Sequence, residues 1–94
     1  MNGYCYILTN KNNTVLYVGA TNDIQRRIRE HKTGKYAKAF TKRYNCYLLV
    51  YFEEFEQVNE AFEREKQLKA GNRKRKEELI NSSNPNWLDL SLEW

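Results

Sequence analysis

The strongest constraint on the fold lies in residues 4–19, which read YCYILTNKNNTVLYVG. Tyrosine and β-branched residues favour strands. The polar stretch 10–14 between the two apolar runs is rich in asparagine, which tolerates the positive φ that tight hairpin turns require. The segment therefore predicts a β-hairpin with strands at 4–9 and 15–20.

The register of this hairpin decides what its tyrosines face. If Asn12 and Asn13 form the centre of the turn, Leu8 pairs with Tyr17, and Tyr6 lies on the same face of the sheet as both. A turn of odd length would place Tyr6 and Tyr17 on opposite faces. Either they pack as ordinary strand residues or they share a site.

The rest of the chain predicts one more strand and three helices. They are a helix capped by Thr21, Asn22 or Asp23 and ending near Thr33-Gly34, a strand at 46–55, a helix at 58–70 and a basic helix at 73–81. The order β-β-α-β-α-α predicts an α+β fold, a small three-stranded, mostly antiparallel sheet flanked by helices. The apolar tail NPNWLDLSLEW is expected to pack on the same domain.

Length and composition limit the alternatives. A chain of 94 residues predicts one domain, residues 1–94. It has no apolar run of membrane length and no signal peptide pattern, which predicts a soluble, cytoplasmic protein. Cys5 and Cys46 lie in apolar runs without a CxxC motif, so we expect small buried hydrophobic residues rather than zinc ligands. A single cysteine pair does not support a disulfide.

Charge is arranged in blocks along the chain. Residues 20–50 contain eight Lys/Arg and two acids, residues 53–65 contain six glutamates and one arginine, and residues 66–76 contain six Lys/Arg. Two basic blocks around an acidic one are typical of a protein that binds a polyanion, because Lys and Arg are the main ligands of phosphates. A solvated surface is the alternative interpretation.

One carboxylate does not fit a purely structural account. On the wheel of the 58–70 helix, Glu65 lies in the middle of the apolar stripe formed by Val58, Ala61, Phe62 and Leu68. A carboxylate turned toward a core is costly unless a cation or metal accompanies it. It either forms a salt bridge with Lys69, one turn later, or holds a metal ion.

Two side chains of the first helix pose the same question. Arg27 and His31 lie beside the apolar stripe, where each can be an ordinary boundary residue. If they converge with Tyr6, Tyr17 and Glu65, the set suits cleavage of a phosphodiester. A carboxylate can hold a divalent metal, an arginine can neutralise charge on a phosphate, and a tyrosine or histidine can handle the proton of water.

With these residues in place, the sequence resembles the GIY-YIG nuclease domain, in particular its short, free-standing bacterial members. The first family triplet resembles Tyr4-Cys5-Tyr6 and the second resembles Tyr17-Val18-Gly19, with the family's spacing between the two tyrosines. The family arginine, the position one turn later and the family glutamate match Arg27, His31 and Glu65. The similarity extends over nearly the whole chain.

Two positions depart from the pattern of the DNA-repair members of this family. Ala20 stands where those domains carry a lysine, and Glu77 replaces an asparagine. The catalytic set is intact, but these changes put the strength of phosphate binding in question.

The resemblance implies a nuclease that hydrolyses nucleic acid, DNA rather than RNA, with one divalent cation, Mg²⁺ or Mn²⁺. It implies that Glu65 binds the metal, that Arg27 contacts the phosphate, and that Tyr6 or Tyr17, assisted by His31, handles the proton. The basic residues expected to bind nucleic acid are Arg26, Lys35, Lys38, Lys42, Arg43, Lys69 and Arg73. A chain of this size leaves sequence specificity to a protein partner.

Two alternatives come from other classes of protein. The first is a nucleic-acid-binding module of the same fold without turnover, in which Tyr36, Phe40 and Tyr44 stack on bases between the basic residues. The second is a protein-interaction domain, which would show no salt-sensitive binding of nucleic acid.

Overall fold

The computed structural model describes residues 1–33, 43–92 and 94 of the chain. Its elements are β1 (Gly3–Thr9), β2 (Leu16–Thr21), α1 (Ile24–Thr33), β3 (Leu48–Phe55), α2 (Val58–Ala70) and α3 (Arg73–Ser83). This is the predicted order β-β-α-β-α-α, and the bounds differ from the predicted ones by no more than two residues. No helix in the described part of the chain is long and apolar enough to cross a membrane.

The three strands form one antiparallel sheet in the order β2-β1-β3. Leu8 pairs with Tyr17, and Tyr6 pairs with Gly19. The turn is therefore even in length, with Asn13 at φ 57°. Of the two registers that the sequence allows, the structure has the even one, and Tyr6 and Tyr17 lie on the same face of the sheet.

Both faces of the sheet are covered, which is why all three strands are rich in apolar residues. One face packs against α2 and α3 through a buried cluster of Cys5, Ile7, Val18, Val50, Leu68 and Ile80. The other face packs against α1 through Tyr6, Leu8, Ile24, Ile28, Cys46 and Leu49. The two cysteines are free and buried, as predicted.

Helix α2 is held closely against the sheet. A Cβ on Gly3 would lie 2.5 Å from the Cα of Val58, so only glycine permits this approach of β1 to the start of α2. Farther along the helix, the Arg64 guanidinium donates to both carboxylate oxygens of Glu53 on β3, at 2.9 and 3.1 Å. The Tyr51 hydroxyl donates to the same carboxylate. These contacts fix the position of α2 relative to the strands.

The tail returns to the sheet, as its apolar composition predicts. The buried Asn84 donates to the carbonyls of Val50 and Leu88 at 3.0 and 2.8 Å. Asp89 accepts from the Leu49 amide at 3.2 Å and from the Lys32 ammonium at 2.6 Å. We call this group of residues, Asn84, Asp89, Lys32, Leu49 and Ser91, the tail clasp.

Candidate active site

A cavity of about 530 Å³ opens at the edge of the sheet formed by β2. Tyr17 faces α1 and Ala20 faces α2, yet both line this cavity, which places it where the two faces of the sheet meet. Its walls come from β1, β2, α1 and α2, and the lining residues are Tyr6, Tyr17, Ala20, Thr21, Asn22, Arg27, Val58, Phe62 and Glu65. Four of the five predicted catalytic residues therefore line one cavity.

The two tyrosines form the floor of the cavity. Tyr6 is 1% exposed, and Tyr17 is half-buried beside it with its ring centroid 6.4 Å away. The Tyr6 ring lies over Gly19, where an added Cβ would be 2.5 Å from the Tyr6 Cζ and hydroxyl oxygen. Burial, and to a smaller extent Tyr17, raises the pKa of Tyr6 far above its ordinary value. Its phenol therefore stays protonated at neutral pH.

His31 stands behind the tyrosines rather than on the cavity wall. Its Nε2 lies 3.2 Å from the Tyr6 hydroxyl, and its ring centroid is 5.8 Å from that of Tyr17. Burial, followed by the positive charge of Arg27, lowers the pKa of His31. A neutral imidazole at this position can accept the proton of the Tyr6 hydroxyl.

Helix α1 brings Arg27 to the cavity. The Asp23 carboxylate accepts from the Arg26 amide at 3.1 Å and caps the helix, so the chain turns sharply from β2 into α1. This turn leaves Arg27, whose side chain is 33% exposed, in the first turn of the helix and facing the cavity. A guanidinium presents several N–H donors in a plane, which suits a phosphate.

Glu65 reaches the cavity from α2. Its side chain is 19% exposed, and its Oε2 lies 3.1 Å from the Lys69 ammonium. The predicted salt bridge is therefore present, and the same lysine lies 5.9 Å from the centre of the Tyr17 ring. The carboxylate nevertheless lines the same cavity as the tyrosines.

The residues around Glu65 fit a weakly ligated cation. Within residues 1–33 and 43–92, no three His, Cys, Asp or Glu side chains are grouped to hold a metal. Mg²⁺ commonly keeps several waters and takes only one or two carboxylates together with substrate phosphates. A single carboxylate on a cavity of this size matches that mode of binding, with Lys69 as the competing cation.

Phe62 and Val58 are site residues that the wheel assigned to a single apolar stripe. Phe62 is 45% exposed, whereas Ala61 and Leu68 are 0% and 4% exposed. One side of the stripe therefore packs on the core, while the other, with Glu65, lines the cavity at the β2 edge. The position of Glu65 in the stripe is the signal in the sequence that Phe62 and Val58 line the cavity, because apolar residues next to a carboxylate on one helix face share its surroundings.

The predicted phosphate-binding residues are placed in several ways. Lys69 lies beside the cavity, and Arg26 is exposed on α1. Arg43 is exposed, with its guanidinium carbon 5.5 Å from the centre of the Tyr44 ring. Arg73 donates to the Thr14 and Asn13 carbonyls at 2.8 and 2.7 Å and pairs with Glu77, so it secures the hairpin turn. Lys35, Lys38 and Lys42 lie outside the described residues, as do Tyr36 and Phe40.

The comparison with protein families identifies this arrangement. The GIY-YIG catalytic domain model matches residues 2–78, which include every lining residue of the cavity. The chain belongs to the GIY-YIG family. This is a family of nuclease domains, and the matched region contains Tyr6, Tyr17, Arg27 and Glu65.

Relatives of this GIY-YIG chain are small proteins of similar length. A UPF0213 protein of Clostridium perfringens is 43% identical over 79 residues, covering 84% of this chain and 83% of the relative. A UPF0213 protein of the archaeon Haloquadratum walsbyi is 38% identical over 80 residues, covering 84% and 89%. The solution NMR structure of a UPF0213 protein from Bacillus halodurans matches with a TM-score of 0.58 at 33% identity, covering 93% of this chain and 90% of that one.

Proposed function

We propose that this GIY-YIG protein hydrolyses phosphodiester bonds of nucleic acid, DNA in preference to RNA, with the help of one divalent cation, Mg²⁺ or Mn²⁺. The observation that carries the proposal is the shared cavity. Tyr6, Tyr17, Arg27 and Glu65 come from four different elements and line one space, and His31 contacts both tyrosine rings. A purely structural role would not require these polar groups to meet at an opening.

The proposed roles follow from the surroundings of each group. Arg27 binds the scissile phosphate and balances the charge that develops on it. Glu65 holds the cation, which when bound supplies Lewis-acid stabilisation of charge on the leaving oxygen. To hold a cation, the Glu65 carboxylate would give up its ion pair with Lys69, and the lysine would then be available to the phosphate.

Proton transfer is assigned to the tyrosine–histidine group. Because the pKa of Tyr6 is raised, a free phenolate is a poor candidate for the base at neutral pH. In the proposed relay, the Tyr6 hydroxyl takes the proton of the attacking water as it passes its own proton to Nε2 of His31. Tyr17, half-buried on the cavity wall, orients the water.

The experiment is a cleavage assay on single-stranded and duplex DNA with Mg²⁺, Mn²⁺ or EDTA. We expect cleavage that requires metal, and a loss on the order of 10³-fold in Glu65→Gln because several kcal/mol of charge stabilisation is removed. Glu63→Gln is the matched control, since Glu63 lies on the same helix with its side chain 71% exposed. Equal rates in wild type and Glu65→Gln would exclude the metal role.

A binding module without turnover is the second candidate, and the ion pair between Glu65 and Lys69 favours it. A carboxylate already neutralised by a lysine gives up that partner when it takes a metal. This function predicts salt-sensitive binding of DNA with no cleavage in any metal. The single domain of residues 1–94, the cytoplasmic location and a protein partner that supplies sequence specificity remain parts of the proposal.

A further inference from the structure

We propose that Phe62 is a stacking platform for an unpaired nucleobase and that the cavity therefore takes single-stranded or locally unpaired nucleic acid. The inference rests on the proposed function, since it places a nucleotide of the bound strand in this cavity. It names the class of substrate for that site.

The first support is the exposure of Phe62. This side chain is 45% exposed on a well-formed helix, while its neighbour Ala61 is fully buried. Leaving a phenyl ring this exposed forgoes the free energy that burial of its apolar surface would provide. The ring also lines the cavity together with Val58, so its open surface faces the space that the substrate enters.

The second support is the position of Phe62 relative to the charged groups. Phe62 precedes Glu65 by three residues on α2, so the two side chains lie on neighbouring turns of one helix face. Arg27 lies on the same cavity. Because Arg27 and Phe62 line one cavity of about 530 Å³, we expect a phosphate held at Arg27 to bring the base of the adjoining nucleotide beside the phenyl ring.

The chemistry of stacking restricts the substrate. Aromatic side chains stack on bases of any sequence, provided that the face of the base is accessible. In a duplex each base face is covered by its neighbours, and an enzyme reaches it only after unstacking or flipping the base. A phenyl ring beside the phosphate site therefore favours a strand whose bases are unpaired.

The test measures binding without catalysis, by fluorescence anisotropy of one labelled oligonucleotide, free and as a duplex, in EDTA. We expect Phe62→Ala to weaken single-strand binding on the order of tenfold and to change duplex binding by less than about twofold. Phe62→Trp is expected to restore single-strand affinity. The control is Phe52→Ala, because Phe52 is also exposed, at 37%, but packs against the Trp94 ring away from the cavity.

The outcomes separate this inference from the proposed function. Selective loss in Phe62→Ala with recovery in Phe62→Trp supports the platform even if no metal produces cleavage. Equal weakening of single-strand and duplex binding, an equal effect of Phe52→Ala, or no binding by the wild type overturns it. If Glu65→Gln loses metal-dependent cleavage while Phe62→Ala binds as the wild type does, the proposed nuclease function stands and the stacking role of Phe62 is overturned.

Discussion

The cavity and the tail clasp each use a carboxylate paired with a lysine, but they surround it differently. Asp89 in the clasp is 5% exposed and accepts from the Leu49 amide and from Ser91 as well as from Lys32. Glu65 in the cavity is 19% exposed, and among the described residues Lys69 is its ion-pair partner. A carboxylate whose acceptor positions are filled by fixed donors serves stability, whereas one held by a flexible lysine can exchange that partner for a ligand.

On the cavity side, an effect close to that of Glu65→Gln is expected from Arg27. Replacing Arg27 with alanine removes a cation from the phosphate site, and we expect cleavage to fall about 10²- to 10³-fold, the size of effect known for groups that stabilise developing charge. The change should leave the midpoint of thermal unfolding within about 2 °C, since the side chain is partly exposed. Initial rates under saturating Mn²⁺ give the measurement. Arg29→Ala, on the exposed side of α1, is the control, and an equal fall in both variants would contradict a specific role for Arg27.

The largest effect on the clasp side is expected from Asp89. Asp89→Ala leaves the Leu49 amide and the Ser91 groups without their acceptor, and we expect a loss of about 2 kcal/mol in the free energy of unfolding. The rate of cleavage per folded molecule should change less than about twofold, because the clasp does not line the cavity. Urea unfolding and a cleavage assay at low temperature measure the two quantities. A variant of unchanged stability would show that the clasp is dispensable.

These two predictions differ in how far the sequence anticipates them. The inward position of Glu65 follows from the 3.6-residue repeat of its helix, and the strand period of two reduces the hairpin to two possible arrangements of its tyrosines. In the clasp, three segments that are distant in sequence contact one another around Asp89. Periodicity describes one helix or strand at a time, so it does not predict such contacts. The exposure of Phe62 is not predicted either, since a wheel gives the direction of a side chain but not which part of the helix face the sheet covers.

The binding role predicted for Arg73 shows the same limit. Basic charge in the 66–76 block predicts phosphate contact, and this binding role of Arg73 stays a prediction, while the structure shows a second role that the charge did not indicate: Arg73 joins α3 to the hairpin turn at Asn13 and Thr14. Glu77, which departs from the pattern of the DNA-repair members, is its ion-pair partner. A composition count cannot distinguish a cation that binds a ligand from one that binds the protein's own carbonyls.

An intermediate effect is expected from Gly19, which determines where the Tyr6 ring lies. In Gly19→Ala the new Cβ would overlap the ring, so the Tyr6 ring must shift and its contact with His31 is disturbed. We expect cleavage to fall about tenfold and stability to fall by about 1–2 kcal/mol, as in overpacked cores. Gly71→Ala is the matched control, because its Cβ would meet nothing closer than 3.5 Å. Wild-type rates in Gly19→Ala would show that the distance between Tyr6 and His31 is unimportant.

A smaller effect on stability is expected when acid protonates Asp89 in the clasp. Burial alone would raise the pKa of Asp89, but the hydrogen bonds from Lys32, Ser91 and Leu49 outweigh it and hold that pKa below its usual range. With the folded pKa below the unfolded value, the stabilisation is present above the unfolded pKa of about 4 and is lost as the pH falls through the folded pKa. Unfolding free energies from pH 6 to pH 2.5 should therefore decline less steeply in Asp89→Asn than in wild type. Parallel curves would contradict the assignment.

The smallest effect on stability is expected from Lys69, and it tests whether the carboxylate of Glu65 is exchangeable. Lys69→Met removes an i, i+4 pair whose lysine is 53% exposed, so the free energy of unfolding should fall by no more than about 1 kcal/mol. Because the competing positive charge near Glu65 is gone, Mn²⁺ should bind about fivefold more tightly, as expected for one charge interacting across solvent. Calorimetric titration of the free protein with Mn²⁺ measures this without catalysis.

Lys66→Met is the control, since Lys66 pairs with the outward-facing Glu63 at 3.7 Å. Tighter Mn²⁺ binding in Lys69→Met but not in Lys66→Met would support Glu65 as a metal ligand that exchanges its lysine for the metal. Equal or weaker binding would show that the Glu65–Lys69 pair, like the Asp89–Lys32 pair of the clasp, serves only the structure.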